Sequence, residues 1–344
     1  MKKLKYLLAM VAALCLPGFA QAPIDDSPET LQKYVPLLPS VKTQMWKIDP
    51  RLGYAVHEVG GGVYVISDNG WQSAFLVTSD GVIVFDAPAS FGKSIPSAIA
   101  KVTNQPIKML IYSHAHKDHI GGSAAFKGIP GLQIVALETV AEFLKGQNDP
   151  NRLVPTVTFK TSKTINVGGK TVELTRHDYH SNEGDLFIYV PQAKFLMAID
   201  CVTPGYAPFQ GFDITSNFDQ YLKVFDRLLA YDFDTFVGGH LTAIGGRQDV
   251  QITKEFTYDV YHTVKRIHNT MDQGAVVAEA EKTIGSDNEF LLFKVVLDKA
   301  TNESIRELAP RWINRLAGVD VWMDSHVRTA LIYVRWDDKD LVTP

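Results

Sequence analysis

The segment MLIYSHAHKDHIGG, residues 109–122, decides how the chain is read. Its apolar run, 109–112, has the composition of a β-strand and stops at His114, His116, Asp118 and His119. In extended backbone, residues two apart point the same way, so His114 and His116 can offer ring nitrogens to one ion. Asp118 and His119 lie where the chain must turn, which places four donors around two adjacent metal positions. Gly121 and Gly122 let the backbone pass close to that site before a short helix expected at 123–127.

A lone histidine is ordinarily a surface or core side chain, but this cluster needs another reason. Crowded imidazoles repel when protonated and gain little from burial unless a divalent cation collects them. The stretch SHAHKDHIGG resembles the HxHxDH signature of the metallo-β-lactamase superfamily, whose members are mostly hydrolytic αββα sandwich enzymes. The resemblance implies an α/β fold of that kind and two metal sites, and it extends to four further places in the chain.

Asp86 ends the strand-like run VIVFDAP, where the family commonly has an aspartate that braces the histidine loop. An ordinary turn aspartate is the alternative. His180 precedes Ser181, Gly184 and Asp185, and resembles the family's third histidine for the first metal. His177 is the rival, at the wrong distance from that Gly-Asp pair. In FLMAIDCV, Asp200 resembles the residue that reaches between the metals, with Cys201 as an alternative thiolate ligand or a small core residue. His240, after the glycines of FVGGH, resembles the last motif, which completes the second metal's shell. The implied set is His114, His116 and His180 on one metal, Asp118, His119 and His240 on the other, and Asp200 between them. Nitrogen and oxygen donors without redox partners suit two zinc ions per chain, while manganese or iron could occupy the same donors.

The chain has 344 residues, 46% hydrophobic and 21% charged, ordinary values for a protein that buries a substantial core. Its formal charge of −4 advertises no nucleic acid or anionic membrane as a partner. Lys2, Lys3 and Lys5 precede an apolar run and the Ala20-Gln21-Ala22 sequence, which reads as a bacterial signal peptide over 1–22, cleaved after Ala22. The apolar run falls short of a membrane span, so no stable anchor is expected. The destination would be the periplasm or the exterior. Cys201 would remain as the single cysteine, leaving stability to the core and the metals.

Residues 23–52 read as an extended, proline-bearing arm, and 53–250 as the sandwich domain. Strands are expected at 63–67, 74–78, 82–85, 107–112 and 133–136, then at 164–167, 170–174, 186–190 and 195–199, with a short one before His240. Ser79-Asp80-Gly81 and Gly168-Gly169 signal hairpin turns. Helices are expected at 93–102 and 139–145, and the polar segment 148–155 reads as a loop near the site entrance. Residues 251–344 form a C-terminal helical extension by composition and spacing. His262 and His268, six apart, fall on different helix faces and make no metal pair. Trp312, Trp322 and Trp336 read as packing or dimer contacts, with a substrate lid as the alternative.

The expected function is a secreted dinuclear zinc hydrolase that cleaves an ester, lactone or amide bond in a small-molecule substrate, with Asp118 orienting the nucleophile. A β-lactamase proper is one alternative. An iron-dependent oxygenase on the same fold, or a non-catalytic binding protein, is the alternative from another class. A homo-oligomer is compatible with the sequence.

Overall fold

The computed structural model describes residues 27–339, so the expected signal peptide lies outside the described residues. Of the described residues, those up to Pro36 form one compact unit and those from Leu37 another. The first holds a single helical turn, Pro28–Leu31, capped by Ser27. In the second, another turn, Pro39–Lys42, also starts on a proline, whose fixed φ suits the first helical position.

Two sheets carry the larger unit. The first runs in chain order: β1 (Ala55–Gly60), β2 (Val63–Ser67), β3 (Gln72–Thr78), β4 (Gly81–Phe85), β5 (Ile107–Ile111), β6 (Gln133–Leu137) and β7 (Val157–Phe159). Its first four strands are antiparallel and the remainder parallel. The second holds β8 (Ser162–Val167), β9 (Lys170–His177), β10 (Asp185–Val190), β11 (Phe195–Ala198) and β12 (Thr235–Val237), in spatial order β12-β11-β10-β9-β8. Gly168 and Gly169, at φ 52° and 76°, make the tight turn between β8 and β9 that their dipeptide signals.

Strand β11 shows why helices must cover the second sheet. Successive side chains point to opposite faces, so Phe195 and Met197 enter the core between the sheets while Leu196 and Ala198 enter a second core. Each apolar side chain buried this way contributes roughly 1.5–3 kcal/mol, so neither face of the strand can be left to water. The second core is closed by α3 (Phe218–Leu229), α4 (Arg247–Thr270), α6 (Glu289–Trp312) and α7 (Val319–Trp336), with α5 (Gln273–Ile284) between α4 and α6. Helices α1 (Ile95–Val102) and α2 (Glu138–Gln147) send Ile99, Val140 and Leu144 into the core of the first sheet. The architecture is the expected αββα sandwich with C-terminal helices.

Several elements differ from the sequence reading. The expected helix at 123–127 is a 3₁₀ turn, Ser123–Phe126. Strand β1 was not expected, because its centre is the exposed pair His57-Glu58 at a sheet edge. Helix α4 begins before residue 250 and crosses the expected boundary there. Trp312 is a packing residue: it is buried against Phe256 and donates its indole N–H to Asp259 at 2.7 Å. Trp336 is exposed.

Helix α7 also holds an unusual turn. Gly211, Phe212, Asp213 and Ile214 all have φ between 50° and 60°, a left-handed run that costs L-residues roughly 1–2 kcal/mol each. Ser325 Oγ accepts the Gly211 N–H at 3.0 Å, and His326 Nδ1 accepts the Phe212 N–H at 3.1 Å. His326 is fully buried, and burial pushes its pKa down to about 3 from the ordinary 6.5. Between those values the unfolded chain binds a proton that the folded chain refuses, so stability rises with pH across this window and is lost on acidification. Replacing His326 with Asn, which keeps an acceptor but not the titration, should flatten the urea midpoint against pH between about 6 and 4. An unchanged slope would show that His326 does not set it.

Candidate metal centre

The site forms where strand ends of both sheets meet. Strand β5 delivers the loop of His114 and His116, and the single turn Lys117–Ile120 carries Asp118 and His119. The loop before β10 supplies His180, the end of β11 Asp200, and the end of β12 His240. The structure gathers these seven residues into two groups: His114, His116, His180 and Asp200, and beside them Asp118, His119 and His240. Within each group the donor atoms lie within 4.8 Å of one another.

Donor spacing tests the fit to a metal. His180 Nε2 lies 3.1 Å from His116 Nδ1, and His119 Nε2 lies 3.1 Å from His240 Nε2. Asp200 places its two oxygens 3.0–3.3 Å from ring nitrogens of His114, His119, His180 and His240. Tetrahedral zinc with bonds of about 2.0–2.1 Å separates its ligand atoms by about 3.3 Å along each edge. The lone pairs of His114 Nε2 and Asp200 Oδ1 are buried and have no hydrogen-bond partner. Facing nitrogens at such distances and orphaned buried acceptors are what a shared cation would satisfy.

The charges agree. Burial pushes His180 down to about 4 and His114 well below the usual imidazole value, so both present neutral rings. Burial raises the Asp200 carboxyl, but the imidazoles of His119, His240 and His180 more than offset it and keep Asp200 ionised. Asp118 is likewise held low, burial being outweighed by the hydrogen bond and charge of His119. His119 is the exception: burial lowers it, yet Asp200 and Asp118 facing its ring raise it well above 6.5. A cation entering there would displace that proton.

Buried polar groups fix the donors in place. Asp86 accepts the Ser113 N–H on Oδ1 at 2.8 Å, and Ser113 Oγ lies 3.0 Å from His114 Nδ1, leaving Nε2 to face the cluster. Asp86 therefore braces the histidine loop rather than serving as a plain turn residue. Asp185 accepts backbone N–H groups from Tyr179, His180 and Ser181 and shapes the His180 loop. Close approach explains two glycines. A Cβ on Gly122 would lie 2.6 Å from the Pro88 carbonyl oxygen, and one on Gly238 only 1.9 Å from that of Val202. The His240 loop is also bound to the first sheet through Gln72 N–H to Gly239 O at 3.0 Å.

The rivals fall elsewhere. Cys201 is buried in the second core with its thiol 3.6 Å from the Ala198 carbonyl, and belongs to neither donor group. His177 stacks on Phe187 at 3.9 Å between ring centres, outside both groups. The 148–155 loop lies behind the histidine loop, where Arg152 donates to the Ala115 carbonyl at 2.9 Å, instead of at the entrance. The entrance is formed by Trp71, Phe209, Ile214, Leu241 and Val321, which carried no linear signal, and by Trp322 of α7, for which the sequence offered packing with a place over the substrate as the alternative.

The family model described as the metallo-beta-lactamase superfamily matches residues 70–240, a span that holds all seven donors. This chain belongs to that superfamily. Among curated proteins it is 26% identical over 196 residues to the 2,4-dinitroanisole O-demethylase subunit alpha of Nocardioides sp. strain JS1661, covering 55% of this chain and 58% of that protein. It is 25% identical over 171 residues to metallo-beta-lactamase IND-1 of Chryseobacterium indologenes, covering 49% of this chain and 70% of that one. Among solved structures, a metallo-beta-lactamase from Pontibacter korlensis shares the fold with TM-score 0.52 and 20% identity, covering 59% of this chain and 97% of its own. Members of the superfamily are metal enzymes, and the donor set here is of that kind. The helices from α4 onward lie outside the matched residues.

Asp86→Ala would remove the acceptor for the Ser113 N–H. Metal affinity, read by competition with a chromogenic chelator, should fall roughly 10–100-fold, the usual effect of losing such a partner. Wild-type affinity in the variant would remove Asp86 from the site's support.

Proposed function

We propose that this chain is an exported hydrolase that holds two zinc ions and cleaves an ester, lactone or amide bond in a small molecule. The observation that carries the reading is the retention of both donor groups, three ring nitrogens with Asp200 and two with Asp118, at one cleft open to solvent. A fold has no structural need for seven such residues, and each buried unpaired donor costs stability. Export is supported by the lysine-led apolar start of the sequence. Zinc is supported by the nitrogen and oxygen donors and their spacing.

Divalent cations bound there would lower the pKa of water toward neutrality and polarise the oxygen of the scissile group. His114, His116 and His180 would hold one cation, Asp118, His119 and His240 the second, with Asp200 facing both. Asp118, partly exposed in the cleft and ionised, accepts a hydrogen bond from the attacking water and orients its lone pair toward the carbonyl carbon. Addition of the water oxygen and cleavage of the carbonyl carbon's bond to oxygen or nitrogen yield an acid and an alcohol or amine, the water's second proton passing to the leaving group. The buried ring nitrogens of His114 and His180 would hold the first cation in place while the bond is cleaved.

A second reading, cleavage of an aryl methyl ether, is favoured by the likeness to the dinitroanisole O-demethylase subunit. Both readings can be assayed together on nitrophenyl esters, an aryl lactone, a cephalosporin and a nitroanisole. Ester or lactone turnover is expected in the zinc-loaded protein, and Asp118→Asn should lower kcat about 10²–10⁴-fold, the usual worth of a positioned proton-transfer group. Equal rates in the wild type and the variant would remove the hydrolase reading, and turnover of nitroanisole alone would replace it with the second.

A further inference from the structure

We infer that the cleft over the donor cluster selects neutral, largely apolar esters and rejects substrates that carry a carboxylate away from the reacting bond, with Val321 and Trp322 of α7 as specificity-determining residues. The inference rests on the reading of this cleft as the substrate site and names the class of substrate it takes.

The cleft has a volume of about 520 Å³, within the range of small-molecule sites. Its floor is the donor cluster, and its walls come from three separate segments. Phe209 precedes the left-handed turn and Ile214 ends it, Leu241 follows His240, and Val321 and Trp322 sit in the first turn of α7. Ile214 is 55% exposed, Phe209 48%, Val321 40% and Leu241 38%. Single exposed apolar residues are common, but four that converge on one opening mark a surface meant to be covered.

Backbone strain points the same way. Ile214 and Leu241 have φ of 50° and 56°, a region that bulky and β-branched residues avoid. Neither position is filled by glycine, so each keeps an apolar side chain at the rim despite the strain. Strain of this kind clusters at sites that bind ligands. Phe209 and Trp322 meet edge to face at 4.9 Å, which leaves aromatic surface for an aryl or alkyl group.

The charges supply the selectivity. The ionisable groups lining the cleft are Asp118, Asp200 and Asp213 with His116, His180, His240 and Tyr206, and no lysine or arginine among the described residues lines it. A substrate carboxylate held at the rim, away from the donor cluster, would therefore lose its hydration against apolar walls and meet no lysine or arginine there. A neutral acyl or aryl group meets no such penalty. Cephalosporins, which carry a carboxylate, fall on the rejected side.

The test uses a ligand pair that hydrolysis cannot consume: naphthyl pentyl ketone, and the same ketone carrying a carboxylate at the end of its pentyl chain. Calorimetric titration of the zinc-loaded protein should show the neutral ketone binding at least about ten-fold tighter, and Val321→Lys, which places a cation at the rim, should narrow that gap by about ten-fold. Equal affinities, tighter binding of the carboxylate, or no binding of either ligand would overturn the inference. A gap unchanged in Val321→Lys would remove α7 from the specificity wall. Failure to hydrolyse esters with the binding preference intact would count against the hydrolase reading alone, whereas hydrolysis with equal binding would count against this inference alone.

Discussion

Asp200 sits at the end of β11 with a left-handed backbone, φ 60°, and its carboxylate, 6% exposed, lies within 3.3 Å of four imidazoles. Two of those rings, His114 and His119, come from the first sheet, and two, His180 and His240, come from the second. The carboxylate thus binds the two halves of the sandwich across their shared edge. Its position is maintained by the Asp200 N–H donating to the Gly238 carbonyl at 3.1 Å, which is why the β12 loop must pass so close. Seven polar side chains forced together at low dielectric repel and lose hydration, and the arrangement makes physical sense when cations neutralise it.

The helical layer takes part in the same constraint. Helix α7 closes the second core with Val327, Leu331 and Val334, accepts the backbone N–H groups of the left-handed turn through Ser325 and His326, and places Val321 and Trp322 at the cleft. One helix therefore links core packing, the strained turn and the approach to the donors. The superfamily match ends at residue 240, so this wall is contributed by the part of the chain outside it. Phe209 and Ile214 of the same rim lie inside the matched span, so α7 completes a wall that the superfamily domain begins.

The first four donors were legible because a strand-like apolar run stops at three histidines and an aspartate packed into six positions, while His180, Asp200 and His240 were legible only through the resemblance to the superfamily's motifs. The hairpins were legible from Gly168-Gly169 and Ser79-Asp80-Gly81 for the same local reason. Helix α3 has a readable periodicity: Phe218, Tyr221, Leu222, Phe225 and Leu228 recur at helical spacing and are buried. The left-handed turn at 211–214 had no such signal, since Phe212 and Ile214 are residues that avoid that conformation on their own. It exists because Ser325 and His326, more than a hundred residues later, accept its N–H groups. Apart from Trp322, the cleft wall was illegible for the same reason: its members are distant in sequence and share no period. Cys201, adjacent to Asp200, could be assigned only once alternation along β11 and the turn after it placed its thiol in the second core.

The most direct test of the central claim is an anomalous difference map, collected at the zinc edge, from crystals of the zinc-reconstituted protein. Two peaks per chain are expected, one among His114, His116 and His180 and one among Asp118, His119 and His240, with Asp200 between them. A map without density at these positions, or with zinc bound only elsewhere on the chain, would contradict the account.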